Sequence, residues 1–417
     1  MFSRSPLLIA LTLALVVSAN PLTVRDAPLV TLPIAKRVNT TSTTSLLKHD
    51  QARARGLIAR ANARLNGKRG PSPDTIVGST PATDQIVDYV VTINIGSPPT
   101  AYTLLVDSGS SNTWVGAMQL YVQTSTSVET RNSVEVIYNE DEFFSGTEFT
   151  DHISFGSELI VFGQSIGAAT ESAGFDDSDG VLGLGPTDLT IGTLTPDTAT
   201  SIPTVTDNLF AQAVITQNQV AISFEPSSED GAVNGEVTWG GTDSSKFTGS
   251  INFAPITSTS PSNQYWGFNQ QIRYGTSTNI LSNTAGIVDT GTTLTLIATD
   301  ALTRYTDANG AVFDDTTGLF QLTLPQFANL QSLFFTINGV TVEFTANAQI
   351  WPRALNTAIG GDTDHVYLII GDIGSDSGSG MDFINGMTWV ERFYVVLDTT
   401  NQKVGVANTP FTRATTN

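Results

Sequence analysis

The chain has 417 residues, 40% hydrophobic and only 14% charged, which describes a globular protein with room for two cores and excludes a disordered one. It contains no cysteine, so thiol nucleophiles, thiolate metal sites, redox roles and disulfide staples are excluded. Residues 1–69 hold 11 of the 19 Lys and Arg but 2 of the 39 acids, leaving 8 bases and 37 acids, a formal −29, on residues 70–417; such an acidic body disfavours nucleic acid and anionic membranes as partners.

In chain order, residues 1–19 read as a secretory signal. Arg4 is the basic start, Leu7 to Val17 is an apolar stretch of 11, and Val17-Ser18-Ala19 suits cleavage at small residues. That stretch is too short to span a bilayer, and the last residues are polar, so a soluble, secreted protein without a lipid anchor is expected. Residues 20–75 are a basic segment with two dibasic pairs, Lys36-Arg37 and Lys68-Arg69, which suit processing proteases. We read them as a detachable prosegment, with the mature chain starting within about 69–76. Its stretch 45–65, rich in Ala, Leu and Arg, predicts a helix, ended before Gly70-Pro71-Ser72-Pro73. Asn39-Thr40-Thr41 is the single glycosylation sequon.

From about residue 76 short Val-, Ile-, Thr- and Phe-rich runs alternate with Gly, Asn, Asp and Ser turns, an all-β pattern. Helices are expected to be few and short, for example around 299–305 and 325–330. Two of the runs end alike. Leu105-Val106-Asp107-Ser108-Gly109-Ser110-Ser111 is matched by Ile287-Val288-Asp289-Thr290-Gly291-Thr292-Thr293. Each is followed later by a Gly-bearing apolar element, Asp179-Gly180-Val181-Leu182-Gly183 and Phe383-Ile384-Asn385-Gly386, where a missing side chain lets strands approach closely. A duplicated unit places the two carboxylates face to face, where both cannot ionise; one then serves as base and the other as acid. A third triplet, Asp376-Ser377-Gly378, has no apolar run before it and reads as a surface loop. We place the boundary between the halves near 256.

Other chemistries find no scaffold. The three histidines form no His-Glu-x-x-His. The acidic stretch 176–180 lacks the first and twelfth ligands of a calcium loop. No metal or cofactor is expected.

With these residues the chain resembles the pepsin-like aspartic proteases, and among them the fungal polyporopepsin type. The resemblance covers about residues 85–410 and includes Asp107-Ser-Gly-Ser-Ser-Asn-Thr-Trp114, Asp179-Gly-Val-Leu-Gly-Leu184, Trp239-Gly-Gly241, Tyr265-Trp266, Asp289-Thr-Gly-Thr-Thr293 and Phe383-Ile-Asn-Gly386. It implies an all-β, bilobal fold with a central cleft and a β-hairpin flap. The lobes would be 76–256 and 257–417, preceded by an inhibitory prosegment removed in acid. It implies a monomeric aspartic endopeptidase acting on proteins or peptides, with its own prosegment as a partner. By the same resemblance Asp107 and Asp289 are the catalytic pair, Ser108 and Thr290 tie the two turns together, and Ser110 and Thr292 bond the outer carboxylate oxygens. Gly109 and Gly291 complete the turns, and Trp114 holds the flap tyrosine. Ser108 stands where Thr is commoner.

The flap departs from the family pattern. Here it reads Val134-Glu-Val-Ile-Tyr138-Asn139-Glu140-Asp141-Glu142-Phe-Phe-Ser-Gly146. Tyr138 is taken as the flap tyrosine and Asn139 as the stand-in for a usual Gly, on the ground that Asn tolerates positive φ. The acids at the tip, Glu140 first among them, bear on substrate preference more than on catalysis; in some fungal relatives an acid there admits Lys. A pepsin-fold binding protein without turnover and a carbohydrate-binding β protein are the rival readings, against which the intact aspartate pair and the prosegment count.

Overall fold

The computed structural model describes residues 29–38, 45–65, 87–155, 159–229 and 231–417. The expected signal segment, the Asn39 sequon, the Lys68-Arg69 pair and the expected mature N-terminus lie outside these residues.

The described chain opens with β1 (Val30–Val38) and α1 (Leu46–Leu65) and then becomes almost entirely strand: β2 (Val87–Ile95), β3 (Thr100–Asp107), β4 (Trp114–Val115), β5 (Val128–Ile137), β6 (Phe143–Phe155), β7 (Leu159–Ala173) and β8 (Gly180–Gly183). β3 alternates exposed and buried at its start and is continuously buried over its last four residues, as a strand must be when it runs from the surface into a core covered on both faces. A fourteen-stranded sheet contains all of these strands, together with 194–195, 219–224, 233–239, 248–255 and the two C-terminal strands Phe393–Asp398 and Lys403–Asn408. Seven strands between 267 and 385 form a second sheet, and three short ones a third. The fold is thus all-β. Its helices after α1 are short, among them Thr299–Asn309 and Leu324–Phe327 where the sequence predicts them.

The two halves repeat one unit. β3 runs parallel to β8, with Asp107 opposite Gly183. In the second half Thr278–Val288 runs parallel to Phe383–Asn385, with Val288 opposite Asn385. The glycines after these elements stand where no side chain fits: a Cβ on Gly386 would lie 2.1 Å from the Leu294 carbonyl oxygen. Each aspartate strand is therefore clamped in its core by hydrogen bonds from a neighbour at full contact.

β1 lies inside the large sheet, paired antiparallel with 233–239 on one side and with β2 on the other. α1 is amphipathic: Leu47, Ala54, Leu57 and Ala61, spaced seven, three and four apart, are buried on one stripe. Gly56 interrupts the helix at a cost of about 1 kcal/mol. A Cβ there would sit 1.9 Å from the Tyr138 carbonyl oxygen, so the glycine lets the helix touch the flap backbone. No described helix is long and apolar enough to cross a membrane.

One expectation needs correction. The pair Lys36-Arg37 was read as suited to processing proteases. Lys36 is 2% exposed, its ammonium lies 2.7 Å from Glu391, and both residues are in register with β2. A protease needs an extended, accessible backbone, and this one is in the middle of a sheet.

Candidate active site

The repeated unit brings the ends of the two aspartate strands together. Asp107 and Asp289 are both completely buried. Their turns interlock: the Ser108 amide donates to Thr290 Oγ1 and the Thr290 amide to Ser108 Oγ, each at 3.0 Å. Thr290 Oγ1 in turn donates to the Val106 carbonyl at 2.7 Å. The outer carboxylate oxygens are held alike. Ser110 Oγ donates to Asp107 Oδ2 at 2.5 Å and Thr292 Oγ1 to Asp289 Oδ2 at 2.7 Å. The amides of Gly109 and Gly291 donate to the other oxygen of each pair, at 2.8 and 3.1 Å.

Between the carboxylates lies Arg53 of α1. Its Nη2 is 2.5 Å from Asp107 Oδ1 and 3.0 Å from Asp289 Oδ1, and its Nε donates to Asp289 Oδ2 at 2.8 Å. Burial would raise the pKa of Asp289, but the Arg53 charge and the bonds from Arg53 and Thr292 outweigh it, and the carboxyl is held below its usual range. On Asp107 burial and the neighbouring Asp289 charge prevail over the single Arg53 contact, and its pKa is raised.

The flap is the β5–β6 hairpin, closed at its tip by the Tyr138 amide donating to the Glu142 carbonyl at 2.8 Å. Tyr138 is buried and accepts a 2.8 Å hydrogen bond from Trp114 Nε1. Burial and the Asp107 charge push its pKa up, so it remains a neutral phenol. Asn139 does not take the positive φ used to explain it. Its Oδ1 instead accepts from the amides of Asp141 and Glu142 at 2.8 and 2.9 Å; a side-chain turn replaces the glycine turn. The tip acids also separate. Glu140 is half exposed and pairs with the equally exposed Arg55 at 2.7 Å, a contact worth at most about 1 kcal/mol. Glu142 points inward, is 4% exposed, and is the acid that faces the cleft.

Four residues important to this arrangement were not among the candidates. Arg53 fills the site. His49, one turn earlier, lies with Nε2 2.8 Å from Glu142 Oε1 and Nδ1 3.1 Å from Asp50. Asp50 accepts the amides of Thr293 and Leu294 at 3.2 and 2.6 Å, tying α1 to the second aspartate turn. Tyr265 donates to the Leu57 carbonyl at 2.8 Å. A faint signal existed for Asp50: it is one of only two acids in the first 69 residues.

Two mutually braced carboxylates in a dry cleft under a hairpin are equipment for activating water. Comparisons with known proteins agree. Residues 88–409 match the family model described as eukaryotic aspartyl protease. The chain is 64% identical over 340 residues to polyporopepsin of Irpex lacteus, covering 82% of this chain and 99% of that protein. It is 30% identical over 344 residues to rhizopuspepsin of Rhizopus chinensis, covering 76% and 84%. The crystal structure of the Irpex lacteus aspartic proteinase superposes with a TM-score of 0.78 over 82% of this chain and 99% of that one. This chain therefore belongs to the eukaryotic aspartyl proteases, as a pepsin-like, bilobal, aspartic-type endopeptidase.

Proposed function

We propose that this chain is the secreted, self-inhibited precursor of a monomeric acid endopeptidase, in which Asp107 and Asp289 activate a water molecule for attack on a peptide carbonyl. One observation carries the reading: the Arg53 guanidinium occupies the space between both carboxylates, where the attacking water and the scissile carbonyl would have to sit. A protein substrate lies extended across the cleft and pairs with the flap by main-chain hydrogen bonds. The dyad shares one proton. Its ionised member takes a proton from the water while its protonated member donates to the carbonyl oxygen; no covalent intermediate forms.

Acid releases the latch. Asp289 has a depressed pKa in the latched state, so its pairing with Arg53 stabilises that state above the ordinary carboxylate range and is lost as pH falls through the depressed value. The prosegment, residues 20–75, then detaches from the lobes 76–256 and 257–417. The test is to acidify the full chain and follow its length and its cleavage of a denatured protein, with and without an aspartic-protease transition-state inhibitor. Inhibitor-sensitive cleavage that appears with shortening is expected; full activity of the intact chain at neutral pH overturns the reading.

A further inference from the structure

Beyond Arg53, the same stripe of α1 carries two more arginines, Arg60 and Arg64, in the last turns of the helix. They stand about 6 Å apart along its axis. Like charges at this spacing repel and destabilise a helix. The C-terminal end of a helix favours their sign, but it does not account for how their N–H groups are used.

Arg60 is fixed by the flap. Its Nη1 donates to the carbonyls of Ile137 and Tyr138 at 2.8 and 3.0 Å, and its guanidinium carbon lies 5.6 Å from the centre of the Tyr138 ring. Its other edge has no such use. Arg60 Nη2 and Arg64 Nη1 are both buried and, among the described residues, meet no acceptor. A buried donor of a charged group left without an acceptor is costly.

Both arginines line one cavity of about 60 Å³ between α1, the Asp107 turn, β5 and residues 189–193. That is room for roughly four waters, or for one small oxyanion. Val136, Leu189 and Ile191 give it an apolar wall. The polar side chains of the lobe wall send their hydrogens elsewhere: Ser110 Oγ to Asp107, Ser111 Oγ to the Pro186 carbonyl and Asn112 Nδ2 to Thr193 Oγ1. Glu135 is the one carboxylate of the lining, against two guanidiniums. Burial pulls the Arg64 pKa below its ordinary range; Tyr265 and the exposed Asp188 oppose this, and the Arg60 charge adds to it.

We propose that Arg60 and Arg64 hold a small oxyanion of the phosphate or sulfate class, gripped between α1 and the first lobe. A guanidinium edge matches the oxygens of such an ion, and an anion shared by both arginines turns their repulsion into a bridge. The binding stands on this geometry; its effect on conversion rests on the precursor reading given above. Half of the site leaves with α1, so the ion binds the latched chain and not the shortened enzyme. By linkage it holds the latch shut, and the precursor outlasts acid longer where the ion is abundant.

The experiment uses the full chain with sodium sulfate as the probe, which stays ionised through the acid range, and sodium chloride at matched ionic strength as the reference. Binding is read by calorimetry near neutral pH, and conversion on gels after acidification. One sulfate per chain should bind, and at ten times its Kd the half-time of conversion should lengthen about tenfold. Arg60→Gln and Arg64→Gln should each weaken sulfate binding at least tenfold, and the shortened enzyme should show no saturable binding. Arg64→Gln is the cleaner arm, because Arg60 also bonds the flap carbonyls. Absence of saturable binding overturns the site. So does an effect that chloride reproduces at equal ionic strength, or one that survives in Arg64→Gln, since either is screening alone. Saturable binding lost in Arg64→Gln upholds the site even in a chain that never shortens in acid, a result that overturns the precursor reading by itself.

Discussion

The turn at Asp107 and the turn at Asp289 present the same contacts: a hydroxyl on the outer oxygen, a glycine amide on the other, and a hydroxyl residue reaching across to the opposite turn. Their carboxyls nevertheless shift in opposite directions, Asp107 up and Asp289 down. The turns themselves do not account for this. Arg53 does, because it makes two contacts with Asp289 and one with Asp107. A near-symmetric pair is thus polarised by a side chain from outside the duplicated unit.

Replacing either aspartate breaks the pair altogether. Asp107→Asn and Asp289→Asn should each lower peptide hydrolysis by roughly 10³-fold or more, with the melting transition still cooperative, because each removes a proton-transfer partner and almost no volume. Retention of a few per cent activity in either variant contradicts the dyad assignment.

Removing the polarising group tests where the asymmetry comes from. Arg53→Leu abolishes the charge that depresses Asp289, so the latch no longer depends on deep acid. Shortening and activity should appear about one to two pH units higher than in the wild type, read on gels and with a fluorogenic peptide. An unchanged pH threshold would place the latch elsewhere, with Lys36–Glu391 or His49–Glu142.

The cross-turn hydroxyls offer a finer contrast. Thr290 Oγ1 both accepts from the Ser108 amide and donates to the Val106 carbonyl at 2.7 Å. Ser108 Oγ accepts from the Thr290 amide but lies 3.5 Å from the Val288 carbonyl. Thr290→Ala should cost about 2–3 kcal/mol in denaturant unfolding and Ser108→Ala about 1 kcal/mol. Equal losses would mean that the two turns are held alike. The smallest effect belongs to the third triplet: Asp376 is exposed in its loop, and Asp376→Asn should stay within about 0.5 kcal/mol of the parent with peptide hydrolysis unaltered.

The duplication was legible because an apolar strand ending in Asp, a hydroxyl residue and Gly has few other uses, and because the same phrase without the strand, at 376–378, lacks the run that gives it meaning. The predicted helix at 45–65 was equally plain from its composition and appears as Leu46–Leu65. What sequence could not supply was orientation across distance. Arg53 is one of several arginines on that helix, and nothing in its neighbours marks it as the one that meets two carboxylates 54 and 236 residues away. The flap shows the same limit. Asn139 was assigned by its tolerance of an unusual backbone, whereas its amide side chain rebuilds the turn; and of three successive acids, hairpin geometry alone decides which faces inward.

The position of β1 carries a further consequence. It is bonded to 233–239 along Val30–Ala35 and to β2 along Ala35–Val38, so taking it away does not trim a margin but opens a seam whose two lips are staggered along the strand. Each lip of the seam then bears a row of unmatched amides and carbonyls, and one extended segment is what fits between them. Whatever peptide arrives first, from the same chain, the excised piece or another molecule, can zip in. Freshly converted enzyme should therefore pass through a sticky interval whose length depends on how quickly the seam is refilled, and in that interval losses to association should rise with protein concentration.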